Sequence, residues 1–194
     1  VADAVIVGAG AEAEDQRVEQ IKELAKAGQT LLLLHPATPS VLAYHEIDLS
    51  RGESQARIRV YNPLVPSGWI AEFRRWVVEH DERLGPVEQI VAERRLVDRS
   101  RPKVLWHFAR DVQLLAELAG RFNRLGSHGI DADDPAYGAL SVQLTGPSRV
   151  PVGWLVAPAD SNATLHVALI SQRVRVRARF DEHDSPVSCQ LVVD

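Results

Sequence analysis

Methionine is absent from this 194-residue chain, and cysteine occurs once, as Cys189. A single thiol closes no internal disulfide and points to no oxidising compartment. No run approaches the ~18 consecutive apolar residues that would cross a bilayer, so no membrane span is expected. A large excess of one charge is missing too. The formal net charge is −4, with 22 basic against 26 acidic residues, which argues against a general nucleic-acid binder. Repeats and low-complexity tracts are lacking. Apolar residues make up 45% of the chain, enough to bury a core and too many for a disordered segment. The length fits one domain or two small units sharing a core. The chain opens on Val1, and Ala2–Val7 already reads as a strand. With no Met, we read it as a fragment whose natural beginning lies upstream, leaving a lost leader open. Otherwise the expected location is the cytoplasm.

The first third alternates strands and helices. Ala4–Val7 is a continuous apolar run, as in a parallel strand covered on both faces. Gly8-Ala9-Gly10 breaks it. Val18, Ile21, Leu24 and Ala25 recur with helical period, and Gly28 follows as a C-cap. Leu31–Leu34 is a second strand, stopped by His35-Pro36, and residues 40–50 and 56–61 read as helix and strand. This order implies a parallel α/β sheet. Gly8-x-Gly10-x-x-Ala13 matches a dinucleotide fingerprint in spacing. The fingerprint needs an acidic residue about 20 positions on, where this chain has Leu34-His35-Pro36. We read the glycines as a tight turn that still admits a ligand close to the backbone.

The remainder reads as a second, largely antiparallel sheet packed on helices. Trp69–Val78 has the pattern of a helix, Glu88–Leu96 that of a half-exposed strand, 97–103 a charged loop, 106–119 a helix and 120–136 a polar loop. From Tyr137 on the period is two: Leu140, Val142 and Leu144, then Val174 and Val176 between Arg173, Arg175 and Arg177, then Val187–Val193. The boundaries are thus 1–66 for a partial nucleotide-binding-type domain and 67–194 for an α+β domain. The apolar alternation over 137–193 exceeds what one helix covers, which predicts self-association through that sheet. The arginine ladder suits phosphate, but the commoner role of such a row is a solvated strand face.

His107 and Asp111 lie four residues apart, on one helix face near the start of the 106–119 segment. An imidazole and a carboxylate there can share acid–base work. The same pair at a helix N-terminus also fits a purely structural role with the helix dipole. The spacing suits zinc, but no third ligand is evident and no metal is expected. His45, His80, His128, His166 and His183 show no partner pattern and read as surface or loop residues.

The order of segments resembles the Gfo/Idh/MocA family of NAD(P)-dependent sugar and inositol dehydrogenases. The resemblance rests on Asp3–Val7, on Ala27–Pro36 against the family's "AGKHVLCEKP", on Tyr61-Asn62-Pro63, on Leu84-Gly85-Pro86-Val87, and on Leu105–Gly120 against "LWDxGxHDxDLLxWLLG". It implies the end of a Rossmann-like domain followed by a sheet domain that builds homo-oligomers. It also implies NAD or NADP as cofactor, a sugar or polyol as substrate, and no nucleic-acid or membrane partner. Gly8, Ala9, Gly10 and Pro36 would face the cofactor, and Tyr61 and Asn62 the substrate. The family's catalytic Lys falls on His35, its Asp on His107 and its His on Asp111, so no catalytic position is intact. His35 would then serve as base, with Asp111 orienting His107. The first two βα units would lie upstream of Val1, about 60 residues. Two functions follow: a divergent oxidoreductase, or a non-catalytic homologue acting as scaffold or sugar sensor. The resemblance places Gly8–Gly10, His35-Pro36, Tyr61-Asn62 and His107/Asp111 along one cleft.

Overall fold

Periodicity accounts for most of the elements. The computed structural model describes residues 4–10, 13–52, 54–63, 68–79, 85–129, 137–148, 150–181 and 185–193. They form two compact units, Val1–Pro63 with Leu105–Arg110, and Leu64–Val104 with Asp111–Asp194.

In the first unit β1 (Val5–Val7), α1 (Glu14–Lys26), β2 (Leu31–Leu34), α2 (Val41–Arg51) and β3 (Ile58–Tyr61) alternate. The strands form a parallel sheet in the order β1-β2-β3, with Val7 opposite Leu33 and Leu34 opposite Tyr61. Val18, Ile21 and Ala25 put one stripe of α1 against Leu31, Leu33, Ala37 and Ile47. Gly28 ends α1 at φ 74°, a left-handed conformation that glycine adopts without a Cβ clash. Ser40 caps α2, its hydroxyl accepting from Ala43 N–H at 3.3 Å. Ile6 stays 66% exposed. The run at 4–7 is therefore not covered on both faces, because both sheet-packing helices of this unit serve the single core that holds Leu31 and Leu33.

The second unit holds α3 (Gly68–Glu79), β4 (Val87–Leu96), part of α4 (Arg101–Ala119), and β5 (Arg124–Gly129), β6 (Leu140–Thr145), β7 (Val152–Pro158), β8 (Thr164–Ser171), β9 (Val174–Phe180) and β10 (Pro186–Val193). The strand order is β10-β9-β8-β4-β7-β6-β5, with only β4–β7 parallel. One face carries Ile90, Ala92, Leu96, Val152, Trp154, Val156, Leu165, Val167, Leu169, Val174, Val176, Ala178 and Phe180, all buried. On that face Trp69 of α3 lies 4.3 Å from Phe180, ring to ring.

Three expectations are corrected. Arg101 to Lys103 are helical rather than loop, since Ser100 precedes a turn with Pro102 in it, a favourable helix start. The 120–136 stretch contains β5, an exposed edge strand held by main-chain pairing with β6, which hydrophobic patterning cannot reveal. In β9 the apolar set is buried inside the chain and the arginines face outward, so this strand offers no apolar row to a second copy. No described helix is long and apolar enough to cross a membrane.

Candidate functional site at the carboxyl ends of the parallel strands

Three loops leave the parallel sheet at the same edge, where open α/β sheets hold their ligands. Gly8-Ala9-Gly10 follows β1, His35-Pro36 follows β2 through a cis bond, and Asn62 follows β3. The His35 N–H donates to the Tyr61 carbonyl at 2.8 Å, which fixes the second loop on the third. Arg17 on α1 ties the first to the second: its guanidinium donates to Gly10 O at 2.6 Å and to Ala37 O at 3.1 Å. Gly8 and Ala9 border a hollow of about 520 Å³ shared with Gln16, Arg17 and Gln20. Tyr61 is exposed, and Asn62 is buried.

The His35 imidazole lies between two fixed partners. Nε2 stands 2.9 Å from the Ala109 carbonyl of α4. A carbonyl only accepts, so Nε2 carries the proton and Nδ1 holds the lone pair. Nδ1 faces the Tyr44 hydroxyl at 3.5 Å, and that hydroxyl accepts from Ala37 N–H at 2.9 Å. Burial pushes His35 below its ordinary pKa of 6.5; the bond to Ala109 counters this in part, and the Arg110 guanidinium adds to the lowering. Burial also raises the Tyr44 phenol above its usual value, so it stays protonated at neutral pH. Sequence patterning gave no warning of Tyr44 or Arg17.

His107 and Asp111 share α4 but are engaged differently. Both lie well inside the helix rather than at its start. His107 is half-buried, its ring edge-on to the Trp106 indole at 4.9 Å. Asp111 is fully buried. Its Oδ2 accepts from Arg94 Nε at 2.9 Å and from Trp154 Nε1 at 2.9 Å, while Oδ1 pairs with the other arm of the same guanidinium. This is a two-pronged ion pair on the buried face of the seven-stranded sheet, with all three side chains fully buried. The carboxylate that spacing assigned to orienting His107 is thus directed to Arg94 and Trp154. The signal was present: Val104, Asp111, Leu115 and Leu118 fall on one buried helical stripe, and a carboxylate on such a stripe requires a buried cation opposite.

A nicotinamide dinucleotide needs its pyrophosphate at a helix N-terminus. Here the first turn of α1 carries Glu14 and Asp15, and its N-cap is Ala13 with no side-chain cap bond. Two carboxylates at that position repel a pyrophosphate, so α1 does not fit the group.

No protein-family model matches the chain and no curated protein matches it in sequence. Solved structures match it in fold, a parallel α/β part followed by an open, mainly antiparallel sheet. The similar structures include the WlbA dehydrogenase of Bordetella pertussis in complex with NADH and UDP-GlcNAcA (TM-score 0.64, 15% identity, 97% of this chain and 63% of that one). A dehydrogenase of Chromobacterium violaceum matches with TM-score 0.67 at 12% identity, over 100% of this chain and 62% of the other. The aldose-aldose oxidoreductase of Caulobacter crescentus, complexed with glycerol, gives 0.66 at 15%, covering 96% and 59%. The chain therefore spans about three fifths of the length of these structures.

Proposed function

We propose that this protein is a non-catalytic relative by fold of the sugar oxidoreductases, one that holds a small hydroxylated ligand at the carboxyl edge of its parallel sheet. The observation that carries this reading is the engagement of Asp111. Both its oxygens are bound, it is fully buried, and it lies where the family resemblance puts an acid–base residue. A carboxylate so held is committed to Arg94 and Trp154. His35, where the resemblance puts the base, already donates from Nε2 to Ala109. Binding is supported by the hollow beside Gly8 and Ala9, which runs between β1 and α1 and sets the Gln16 and Gln20 amides and Arg17, groups that suit sugar hydroxyls, among apolar side chains. The similar structures bind a nucleotide sugar in one case and glycerol in another.

A divergent NAD(P)-dependent dehydrogenase is the second reading, and one observation favours it. The lowered pKa keeps His35 neutral, hence basic, at physiological pH. One experiment separates the two. The chain is titrated with UDP-N-acetylglucosamine, glucose and inositol by calorimetry, and incubated with each plus NAD or NADP while nicotinamide absorbance is followed. The first reading expects saturable binding weakened by Gly8→Val and no nicotinamide reduction. Reduction that disappears in His35→Ala establishes the second.

A further inference from the structure

Strand β9 carries Arg175, Arg177 and Arg179 at alternate positions, all exposed, with Arg173 in the bend just before it, while Val174, Val176, Ala178 and Phe180 face the core. Alternate strand residues stand about 7 Å apart on one face, so the guanidinium groups form a row. Their neighbours across the sheet shape what lies beside it. His166 on β8 is opposite Arg179, with Glu93 on β4 opposite His166; Ala168 is opposite Arg177, with Val91 opposite Ala168. Ala168 offers only a methyl between longer side chains, so it becomes a floor. The outcome is an open cavity of about 590 Å³, inside the range of roughly 300–1,000 Å³ usual for small-molecule sites.

The charge in this cavity is one-sided. Glu93 is its only carboxylate among the described residues, and Arg95 holds it at 2.5 Å. Arg177 and Arg179 add positive charge on the other side of His166 in a protein whose net charge is −4. His166 registers that field: burial lowers its pKa first, Arg95 and Arg179 lower it further, and Glu93 opposes them. A second hollow, about 410 Å³, adjoins the first and shares Arg95, His166 and Arg179 with it. Its other lining includes Asp160, Asn162 and Thr164. Carboxylate, amide and hydroxyl groups suit sugar hydroxyls and disfavour a second anion. Among the described residues neither hollow is lined by Phe, Tyr or Trp, so the single His166 imidazole is the one ring on which a base could stack, short of the successive platforms that single-stranded nucleic acid uses.

We propose that Arg95, Arg177 and Arg179 seat the phosphate group of a phosphorylated sugar or polyol, whose hydroxyls lie against Asp160 and Asn162. Guanidinium forks match phosphate oxygens two at a time and stay charged at every physiological pH. This site is separate from the loops at the carboxyl edge of β1–β3 and does not depend on their function.

The test is calorimetric titration of the full chain with glucose 6-phosphate, inorganic phosphate and glucose at one fixed ionic strength. The expected order is saturable binding of glucose 6-phosphate, weaker saturable binding of inorganic phosphate, and none of glucose. The Arg177→Ala/Arg179→Ala variant, altered only at exposed positions, weakens glucose 6-phosphate about tenfold or more through loss of charge-assisted hydrogen bonds. In the unaltered chain, NMR titration of His166 moves to higher pH when glucose 6-phosphate is bound, because the phosphate offsets the arginine field. Four results overturn the proposal: no saturation, binding that survives the double variant, glucose 6-phosphate no tighter than phosphate, or a dimer by sedimentation that buries this face and excludes the sugar phosphate.

Discussion

Asp111 shows how a residue with catalytic spacing becomes a structural one. Its carboxylate pairs with the buried Arg94 guanidinium and accepts from the Trp154 indole. Removing one partner of a buried ion pair costs about 3–5 kcal/mol, because the remaining charge loses its counter-ion. Asp111→Asn, which preserves shape, is therefore expected to lower the urea unfolding free energy by about that amount, and His107→Ala, at a half-buried position, by clearly less. Equal small losses in the two variants would contradict the structural role of Asp111. His35 gives a pH dependence of definite sign. Its folded pKa lies below the ordinary 6.5, so the folded state binds fewer protons than the unfolded one as pH falls through 6.5 and below. Stability is then highest above that value and declines on acidification. His166 acts in the same direction. His35→Gln, which retains an N–H for Ala109, is expected to flatten part of the decline in urea midpoint with pH, leaving the share of His166. The sequence made His35, His107 and Asp111 visible as candidates. It did not reveal their partners, because Arg94, Trp154, Tyr44 and Ala109 come from other elements and local spacing carries no information about them.

At the scale of elements, legibility followed side-chain pattern. Helix α1 announces itself through period 3.6, β4 through alternation and β2 through an unbroken leucine run, and the structure places them within a few residues of the expected bounds. Strand β5 does not: Arg124–Gly129 has every residue exposed and owes its existence to antiparallel pairing with β6. A strand held by main-chain bonds alone on a sheet edge opens readily. Hydrogen exchange is expected to be fastest in β5 and slowest in β4 and β8, the central strands of the same sheet; comparable protection across all three would contradict the assignment of β5 as a weak edge. The turn after β6 is tighter. A Cβ added at Gly146 would sit 2.0 Å from the Arg121 carbonyl oxygen, a backbone atom that cannot swing aside. Gly146→Ala is expected to cost at least about 1–3 kcal/mol, the range of overpacking, measurable as a lower urea midpoint.

The whole molecule shares its fold with solved oxidoreductases, and we propose that it binds without their chemistry. Architecture was legible because the order of strand, glycine turn, helix and closing sheet survives at 12–15% identity to the solved structures. Self-association was harder to judge. The expectation rests on apolar alternation over 137–193, but a strand pattern does not say which face the chain itself covers, and in β9 the covered face is the apolar one. Within this chain α1, with Glu14 and Asp15 in its first turn, offers no seat for a pyrophosphate, so the proposed ligand site works without a dinucleotide. Calorimetric titration of the chain with NADH is the most direct test of this central claim. The account predicts no saturable heat, and none restored by Glu14→Gln/Asp15→Asn alone, since the loop also lacks an acidic ribose partner. Low-micromolar, saturable NADH binding that Gly8→Val abolishes would contradict it.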